Sequence, residues 1–221
     1  MHSRRLPAFL AVALLVVVVW PTAAPGQDGA TITAPDRCYR ERTRIPVTGE
    51  GFAPNAPVQV GFASRRPVTK TTDADGGFKA RVPVPELGDS PRPGRVTLHA
   101  IDGSPEASTA STNVQLTAVA VAVNDASLQR RGEKLRFRFS GFPNGRNIWG
   151  HYLFGGKERG KQRFGKAKGP CGTLRTRAPL IPKFIGRDGI WTIQFDGRKK
   201  YSRKTKPSLR RKIQVFRVPG A

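Results

Sequence analysis

The chain has 221 residues, and its 39 lysines and arginines outnumber its 15 acidic residues, for a formal net charge of +24. Hydrophobic residues make up 38% of the chain, which is enough for a packed core and excludes disorder throughout. The 24 glycines and 19 prolines fall between short apolar runs, which is typical of many short strands and excludes a protein of long helices. We therefore expect an all-β fold.

Residues 1–26 have the organisation of a secretory signal peptide. A basic start with Arg4 and Arg5 precedes an apolar run at 6–20, and small residues follow. The run is shorter than the roughly 20 residues that a membrane-spanning helix needs. We therefore expect this segment to be removed on export to the medium or the cell envelope, with no stable membrane insertion of the mature protein. An uncleaved membrane anchor is the alternative.

Residues 30–118 alternate between short apolar runs and turn residues. In one run, Phe78 and Ala80 share a face while Lys79 and Arg81 lie on the other, as in a half-buried strand. Seven such runs, spaced by turns, predict an immunoglobulin-like β-sandwich. The predicted strands cover residues 31–34, 44–49, 57–63, 67–72, 78–84, 95–101 and 111–118.

Two segments of this region, VTGEGFAPNAPVQV and TTDADGGFKARVPVP, resemble the bacterial Ig-like repeats of secreted and cell-wall proteins. The likeness extends from Thr31 to about Ala118 and implies a sandwich fold without assigning an activity. Asp73 and Asp75 are interpreted as hairpin-turn residues, because the further ligands of a calcium loop are absent. The residues at the pattern positions are Gly49, Gly51, Phe52, Pro54, Asp73, Asp75, Gly76 and Phe78.

Residues 119–221 predict a second, diverged sandwich of the same kind. The segment FSGFPNG echoes GEGFAPN of the first half. The joining segment at 116–123 contains no Gly or Pro, so we expect a restricted orientation of the two halves. The segments GPCGTLRTR and GIWTIQFD resemble a type found in other secreted bacterial proteins of unassigned role, which implies no activity. The predicted strands cover residues 119–125, 134–140, 148–154, 163–168, 173–180, 190–196 and 211–218.

The positive charge is concentrated in the second half. Residues 1–118 carry 13 basic and 10 acidic side chains, whereas residues 119–221 carry 26 and 5, a net charge of +21. A field of this sign attracts anions. We therefore expect this half to bind an anionic polymer, either an envelope phosphate polymer, a glycan or nucleic acid, or else an acidic protein surface. The alternative is a structural spacer or adhesive module whose charge only keeps it soluble.

The candidate binding residues lie in two basic runs, Lys157 to Lys168 and Arg198 to Lys212, that we expect to be rich in loops. Tyr201 and Phe164 could stack on bases or sugars, although Phe164 suits a core position equally well. The basic candidates are Lys157, Arg159, Lys161, Arg163, Lys166 and Lys168 in the first run, and Arg198, Lys199, Lys200, Arg203, Lys204 and Lys206 in the second.

No residue pattern predicts catalysis, a metal site or a cofactor. His151 with Cys171 is the one thiol–imidazole pair to weigh, but Gly-Pro-Cys-Gly does not match the His-Gly-Cys motif of cell-wall transpeptidases. Two cysteines and three histidines provide no zinc-ligand spacing. We therefore expect a non-catalytic protein, of undetermined oligomeric state.

Cys38 and Cys171 are predicted to form a disulfide between the two halves. Successive strands of a sandwich run in opposite directions. Counting strands from Thr31 therefore places Cys38, after the first strand, and Cys171, after the fourth strand of the second sandwich, at the junction of the halves. Pairing is typical of exported chains. Two unpaired or separately buried thiols are the alternative.

Overall fold

The computed structural model describes residues 29–35, 37–88, 90, 92–124 and 130–216. The predicted signal peptide, residues 1–26, lies outside these ranges, so its removal stays a prediction. Over the described ranges the chain forms fifteen β-strands and no helix, which confirms the all-β prediction. A search of the same ranges finds no apolar helix of membrane-crossing length.

Eight strands form the first pair of sheets. Sheet A has the order β1-β3-β6 and sheet B the order β2-β8-β7-β4-β5. All neighbours are antiparallel except β2 and β8, which are parallel. The strands are β1 (Thr31–Thr33), β2 (Cys38–Arg40), β3 (Arg44–Glu50), β4 (Pro57–Gly61), β5 (Val68–Thr71), β6 (Phe78–Pro83), β7 (Gly94–Asp102) and β8 (Thr109–Thr117).

The first core lies between sheets A and B and follows from the alternation of their strands. In β6, Phe78, Ala80 and Val82 are buried while Lys79 and Arg81 are exposed, as the sequence predicted. These side chains join Leu98, Leu116 and other buried residues of sheet B in one hydrophobic cluster. Burial of this apolar surface is the main force that holds the two sheets together.

Seven strands form the second pair of sheets. Sheet C has the order β13-β10-β9, and sheet D has the order β12-β11-β14-β15. They enclose a second cluster, rich in aromatic residues, that includes Phe137, Phe164 and Phe195. The strands are β9 (Ala120–Val123), β10 (Lys134–Ser140), β11 (Asn147–Phe154), β12 (Lys157–Lys166), β13 (Leu174–Pro179), β14 (Gly189–Asp196) and β15 (Ser208–Val215).

The two sheet pairs share one strand order. Strands β9, β10 and β13 of sheet C pair as β1, β3 and β6 do in sheet A, and β12-β11-β14-β15 repeats β5-β4-β7-β8. This is the order of an immunoglobulin-like sandwich, with a three-stranded sheet facing a sheet that contains the central hairpin strands. The fold class predicted from the spacing of turns is therefore present in both halves.

Two features of the strands differ from the sequence prediction. Strand β2 was missed, because it is only three residues long and pairs in parallel with the distant end of β8. The prediction that Lys157 to Lys168 forms a loop-rich run with a strand only at 163–168 was wrong in its first part, since β12 extends from Lys157 to Lys166 along the edge of sheet D. Its charged residues and glycines hid the alternation, and a charged edge strand discourages pairing with other chains.

The Cys38–Cys171 disulfide is present, and it links the two sheet pairs. The Cα atoms lie 4.9 Å apart, within the range that a disulfide requires. Close to it, the Ser140 hydroxyl donates a hydrogen bond of 2.9 Å to the Ala118 carbonyl. The Gly141 N–H likewise donates to the Cys171 carbonyl at 2.9 Å. The second half is therefore held to the first by covalent and polar contacts beside the short connection between β8 and β9.

Candidate anion-binding surface

The outer face of sheet D brings part of the first basic run beside the central strands. Lys161 pairs with His151 and Arg163 pairs with Trp149 in the register of β12 and β11. Directly opposed residues of an antiparallel pair project to the same side of the sheet. Phe164 is buried in the core, so of the two roles that the sequence left open for it, stacking on a ligand is excluded and the core position is correct.

Strand β15 adds cations to the same face from the other edge of the sheet. Arg210 pairs with Gln194, and Lys212 pairs with Thr192, in the register of β15 and β14. His151, Gln194 and Thr192 alternate along β11 and β14 with core residues, so their side chains point away from the core. The outer face of sheet D thus carries cations along both edges and a polar strip in the middle.

The second basic run crosses this polar strip as loop 197–207, which joins β14 to β15. His151 is fully buried beneath the loop, and its Nε2 lies 2.9 Å from the Arg198 carbonyl oxygen. Its Nδ1 lies 2.7 Å from Oε1 of Glu158 on β12. The Tyr201 ring covers the imidazole at a centroid distance of 5.7 Å. The imidazole therefore ties β11, β12 and the loop together.

Gln194 and Asp196 of β14 fasten the same loop from below. The Gln194 Nε2 donates hydrogen bonds to Asp196 Oδ2 at 2.7 Å and to the Ser202 carbonyl at 2.9 Å. The Arg198 N–H donates to Asp196 Oδ1 at 2.8 Å. From β15, the Arg210 Nε donates to Gln194 Oε1 at 2.9 Å. These contacts hold the backbone of the loop at two points.

The electrostatics of the network favour a charged His151–Asp196 pair. Burial opposes the charged form of His151, but hydrogen bonds to Asp196 and Glu158 outweigh it and raise the pKa of the imidazole. Burial also opposes ionisation of Asp196. Its hydrogen bonds with His151, Gln194 and the Arg198 N–H outweigh that effect and lower the pKa of the carboxyl. A doubly protonated ring suits the geometry, since both ring nitrogens face oxygen acceptors.

The corresponding position in the first half carries a similar aspartate with different hydrogen-bond partners. Asp102 ends β7 as Asp196 ends β14, and both precede a glycine. Burial opposes ionisation of Asp102, but hydrogen bonds from Ser104, the Ala53 N–H and the Ser108 N–H lower the pKa of its carboxyl to about 2. Aligning the GFAPN and GFPNG segments places Pro143 at the position of Ala53.

Proline has no N–H to donate, so the second half lacks the donor that occupies Oδ2 of Asp102. The free carboxylate oxygen of Asp196 instead accepts the hydrogen bond of Gln194. The aspartate thereby changes from a residue that closes its own turn to one that also anchors a polar strip on the outer face. The sequence prediction missed His151, Gln194 and Arg210 as parts of the site. Polar side chains at outward positions beside a long basic loop were the signal that could have identified them.

The predicted basic residues do not all lie together. Lys161, Arg163 and Lys166 share the outer face of sheet D with the loop, while Arg159 lies at an irregularity of β12 and Lys168 forms a bridge with Thr173 beyond the strand. Lys157 is at the hairpin end of β12. All twelve predicted basic side chains are exposed: Lys157, Arg159, Lys161, Arg163, Lys166, Lys168, Arg198, Lys199, Lys200, Arg203, Lys204 and Lys206.

A shallow cavity of about 160 Å³ lies between the loop and the β11–β12 hairpin. Its lining combines the aromatic ring of Tyr201 with the guanidinium groups of Arg203 and Arg210. Arg203 reaches over the hairpin, since a Cβ added at Gly156 would lie 3.2 Å from its guanidinium. An anionic group entering this cavity would meet two arginines that belong to the loop and to β15.

The structure excludes the thiol–imidazole pair weighed from the sequence. The sulfur of Cys171 is bonded to Cys38, and both ring nitrogens of His151 are occupied by oxygen acceptors. Over the described ranges, no three His, Cys, Asp or Glu side chains are grouped as metal ligands would be. This surface presents exposed cations instead, on β12 and in loop 197–207.

Comparisons with known proteins identify no family for this chain. No family model and no curated protein matches it. Among solved structures, a tetra-tandem repeat from the extending region of a large adhesion protein is 13% identical with a TM-score of 0.28, over 83% of this chain and 47% of that one. The chain thus spans about half the length of that repeat structure.

Two further solved structures differ in the kind of protein they represent. The human OSCAR ligand-binding domain is 8% identical with a TM-score of 0.30, over 86% of this chain and 99% of that one. A red sea bream transglutaminase is 12% identical with a TM-score of 0.28, over 86% of this chain and 31% of that one. At such similarity these matches carry no argument about function, and the fold assignment rests on the strand order.

Proposed function

We propose that this protein is secreted, has no catalytic activity, and binds anionic polymers through the outer face of sheet D and loop 197–207. The ligand is an envelope phosphate polymer, an anionic glycan or nucleic acid. The observation that carries the proposal is the buried network of His151, Gln194 and Asp196 beneath a loop with six exposed cations. A loop held in place loses less conformational entropy when its side chains bind a ligand.

The acidic residues of the second half are too few to compensate the cations of this surface. Each of the four that the structure describes already has a partner. Glu158 and Asp196 contact His151, Asp188 pairs with Arg131, and Glu133 accepts the N–H of Arg130. The exposed cations on sheet D therefore keep their field, which attracts a polyanion and accelerates its association.

The disulfide supports a location outside the cytoplasm. Cysteine pairs persist in oxidising environments such as the periplasm and the extracellular medium. The resemblance of residues 31–118 to Ig-like repeats of bacterial secreted and cell-wall proteins points to the same location. We infer that the protein acts at the cell envelope, where phosphate polymers and anionic glycans are abundant ligands.

A structural spacer or adhesive surface module is the second candidate function. The observation that favours it is the junction, where a disulfide links the halves and only two residues separate β8 from β9. Such a connection gives a unit of two linked halves that can hold other parts at a distance without any ligand of its own. The two candidates differ in one measurable property, which is affinity for polyanions.

Binding of the full mature chain to duplex DNA and to long-chain polyphosphate, measured between 50 and 200 mM salt, tests the proposal. Six phosphate contacts on duplex DNA would lower the affinity about a thousandfold over this range. Neutralising the loop with Arg198→Gln, Lys199→Gln, Lys200→Gln, Arg203→Gln and Lys204→Gln should flatten the salt dependence.

The matched control removes an equal number of positive charges from the first half, with Arg65→Gln, Arg66→Gln, Lys70→Gln, Lys79→Gln and Arg81→Gln. These side chains are exposed on sheets A and B or the loop between β4 and β5. The control should bind as the wild type does. Equal losses in both variants would mean that only net charge matters, and no binding to any polyanion at low salt would leave the spacer as the function.

A further inference from the structure

The outer face of sheet C carries a second group of cations, on β10 and β13. In the register of β10 and β13, Arg136 is directly opposite Arg177, and Arg138 is directly opposite Arg175. Leu135, Phe137 and Phe139, which alternate with them, are buried in the second core. The four arginines, named here the arginine quartet, therefore project to one side, away from the core.

Nothing on the described part of sheet C neutralises the arginine quartet. On its other flank, β9 places the small neutral Ala122 opposite Arg138. The four described acidic residues of the second half are engaged with His151, Arg131 and the Arg130 N–H instead. Like charges directly opposite one another destabilise a sheet. Repulsion within two such pairs lowers the free energy of unfolding, and a bound anion would remove this repulsion.

The spacing of the arginine quartet suits a chain of phosphate groups. Directly opposed residues have Cβ atoms about 4.5–5.5 Å apart, and successive residues on one face of a strand are about 6.7 Å apart. Phosphate groups follow one another closely along a linear polymer, so each of two guanidinium groups at the first distance can bind the non-bridging oxygens of a phosphate as a planar fork. A linear polyphosphate carries charge along its whole length, so the next arginine pair at the second distance meets a further phosphate of the same chain.

We propose that the arginine quartet is a second binding surface for linear phosphate polymers, and that the protein cross-links such polymers. This inference rests on the proposed function, because it takes sheet D as the first surface. Sheets C and D pack on one core, so their outer faces point in opposite directions. The sheets of a sandwich are about 10 Å apart, and a short oligophosphate on one face does not reach the other. Two chains can therefore be held at once.

The experiment counts short linear oligophosphates bound per full-length mature protein by titration calorimetry. Wild type should bind two. A quartet variant with Arg136→Gln, Arg138→Gln, Arg175→Gln and Arg177→Gln should bind one, and a sheet D variant with Lys161→Gln, Arg163→Gln, Lys199→Gln and Lys200→Gln should also bind one. The control variant, Arg65→Gln, Arg66→Gln, Lys70→Gln and Arg81→Gln, has the same charge change and should bind two.

Long-chain polyphosphate gives the second readout. Wild type should join chains into large complexes that scatter light, whereas the quartet variant should bind the chains without joining them. A charge-conserving set, in which the same four arginines become lysines, keeps the field but lacks the planar forks, so its second site should be weakened. Polyglutamate carries its carboxylates on flexible side chains whose ordering costs entropy, so it should fill the second site more weakly than polyphosphate does.

The outcomes separate the two proposals. One oligophosphate per wild-type chain, with the quartet variant unchanged, would overturn the inference and leave the proposed function standing. Binding lost in the quartet variant but kept in full by the sheet D variant would overturn the proposed surface on sheet D. Equal filling of both sites by polyglutamate would overturn the assignment of phosphate. The fold of each variant is checked by its melting temperature, and relief of repulsion should make the quartet variant melt no lower than wild type.

Discussion

At the scale of single residues, His151 has the largest effect on the proposed surface. A buried imidazole on the outer side of a sheet is unusual, and here it is buried because loop 197–207 covers it. Its contacts reach Glu158 on β12, the Arg198 carbonyl and Asp196 on β14. Removing one member of such a pair leaves its partners buried without compensation, which costs more than the pair contributes.

Replacing this histidine should release the loop. We expect His151→Gln to lower the free energy of unfolding by about 3 kcal/mol, because Asp196 loses a buried charged partner. We also expect trypsin to cleave the loop faster at Lys199 and Lys200. Chemical denaturation and timed proteolysis measure the two effects. His99→Gln is the matched control, since His99 is exposed on β7. Equal behaviour of the two variants would contradict the anchoring role.

The stability that His151 provides should depend on pH. Its pKa is raised in the folded protein, so the stabilisation is fully present below the unfolded pKa of about 6.5 and is lost as pH rises through the folded pKa. Asp196 has the opposite sign, because its lowered pKa makes stabilisation disappear only in acid.

The difference in unfolding free energy between wild type and His151→Gln should therefore be larger at pH 6 than at pH 9. Denaturation curves at the two pH values measure it. A difference that does not change with pH would mean that His151 contributes only as a neutral hydrogen-bonding ring.

At the scale of elements, the turns decide how the sheets meet. The turn at 169–172 carries Cys171 and contains two glycines in the left-handed region, Gly169 and Gly172, at φ +71° and +55°. Gly172 lies against the backbone of Phe142, where an added Cβ would overlap the carbonyl oxygen, whereas the space around Gly169 is open. Only one of the two glycines is therefore required by packing as well as by conformation.

Alanine substitutions at these two positions distinguish backbone strain at positive φ from steric overlap with Phe142. We expect Gly169→Ala to cost about 1–2 kcal/mol, the ordinary penalty for a side chain in this conformation. Gly172→Ala should cost clearly more, because backbone atoms of Phe142 must also move. Melting temperatures of the two variants, measured without reductant, provide the comparison. A Gly172→Ala protein as stable as Gly169→Ala would contradict the packing of this turn.

At the scale of the whole molecule, one disulfide joins two sandwiches that each have their own core. Cys38 and Cys171 are 133 residues apart in sequence, so the bond closes a long loop. It also fixes the start of β2 against the turn before β13, beside the hydrogen bond between Ser140 and Ala118. The proposed surfaces on sheets C and D are therefore held at a defined distance from the first half.

Removing this disulfide should weaken the fold without abolishing either core. In the chain-entropy model, a loop of this length corresponds to about 5 kcal/mol of stabilisation, reduced by any strain. We expect the double variant Cys38→Ser, Cys171→Ser to unfold at lower denaturant concentration, and reduced wild type to behave as the double variant does. Thiol counting on denatured, unreduced protein should find none in the wild type. Two free thiols would contradict the bond.

The sequence by itself determined the all-β class, the two sets of strands and the half that carries the charge, and it predicted the pairing of the cysteines without excluding free thiols. These follow from local alternation, as in β6 and β10, from turn residues, and from the alternating direction of successive strands. Where local signals were weak they failed, as in the three-residue β2 and in the first part of β12, whose inward side includes Gly160 and Gln162.

Only the tertiary structure decided which side chains meet. The burial of His151 depends on a loop that returns over the sheet from residue 197, far along the chain. The pairing of Arg136 with Arg177 depends on the register of two strands, and a shift of one residue would turn these side chains towards the core. Burial and register depend on contacts between residues that are far apart in the sequence. A period-2 pattern shows that a residue points outward, but it does not show what covers that residue or what lies opposite it.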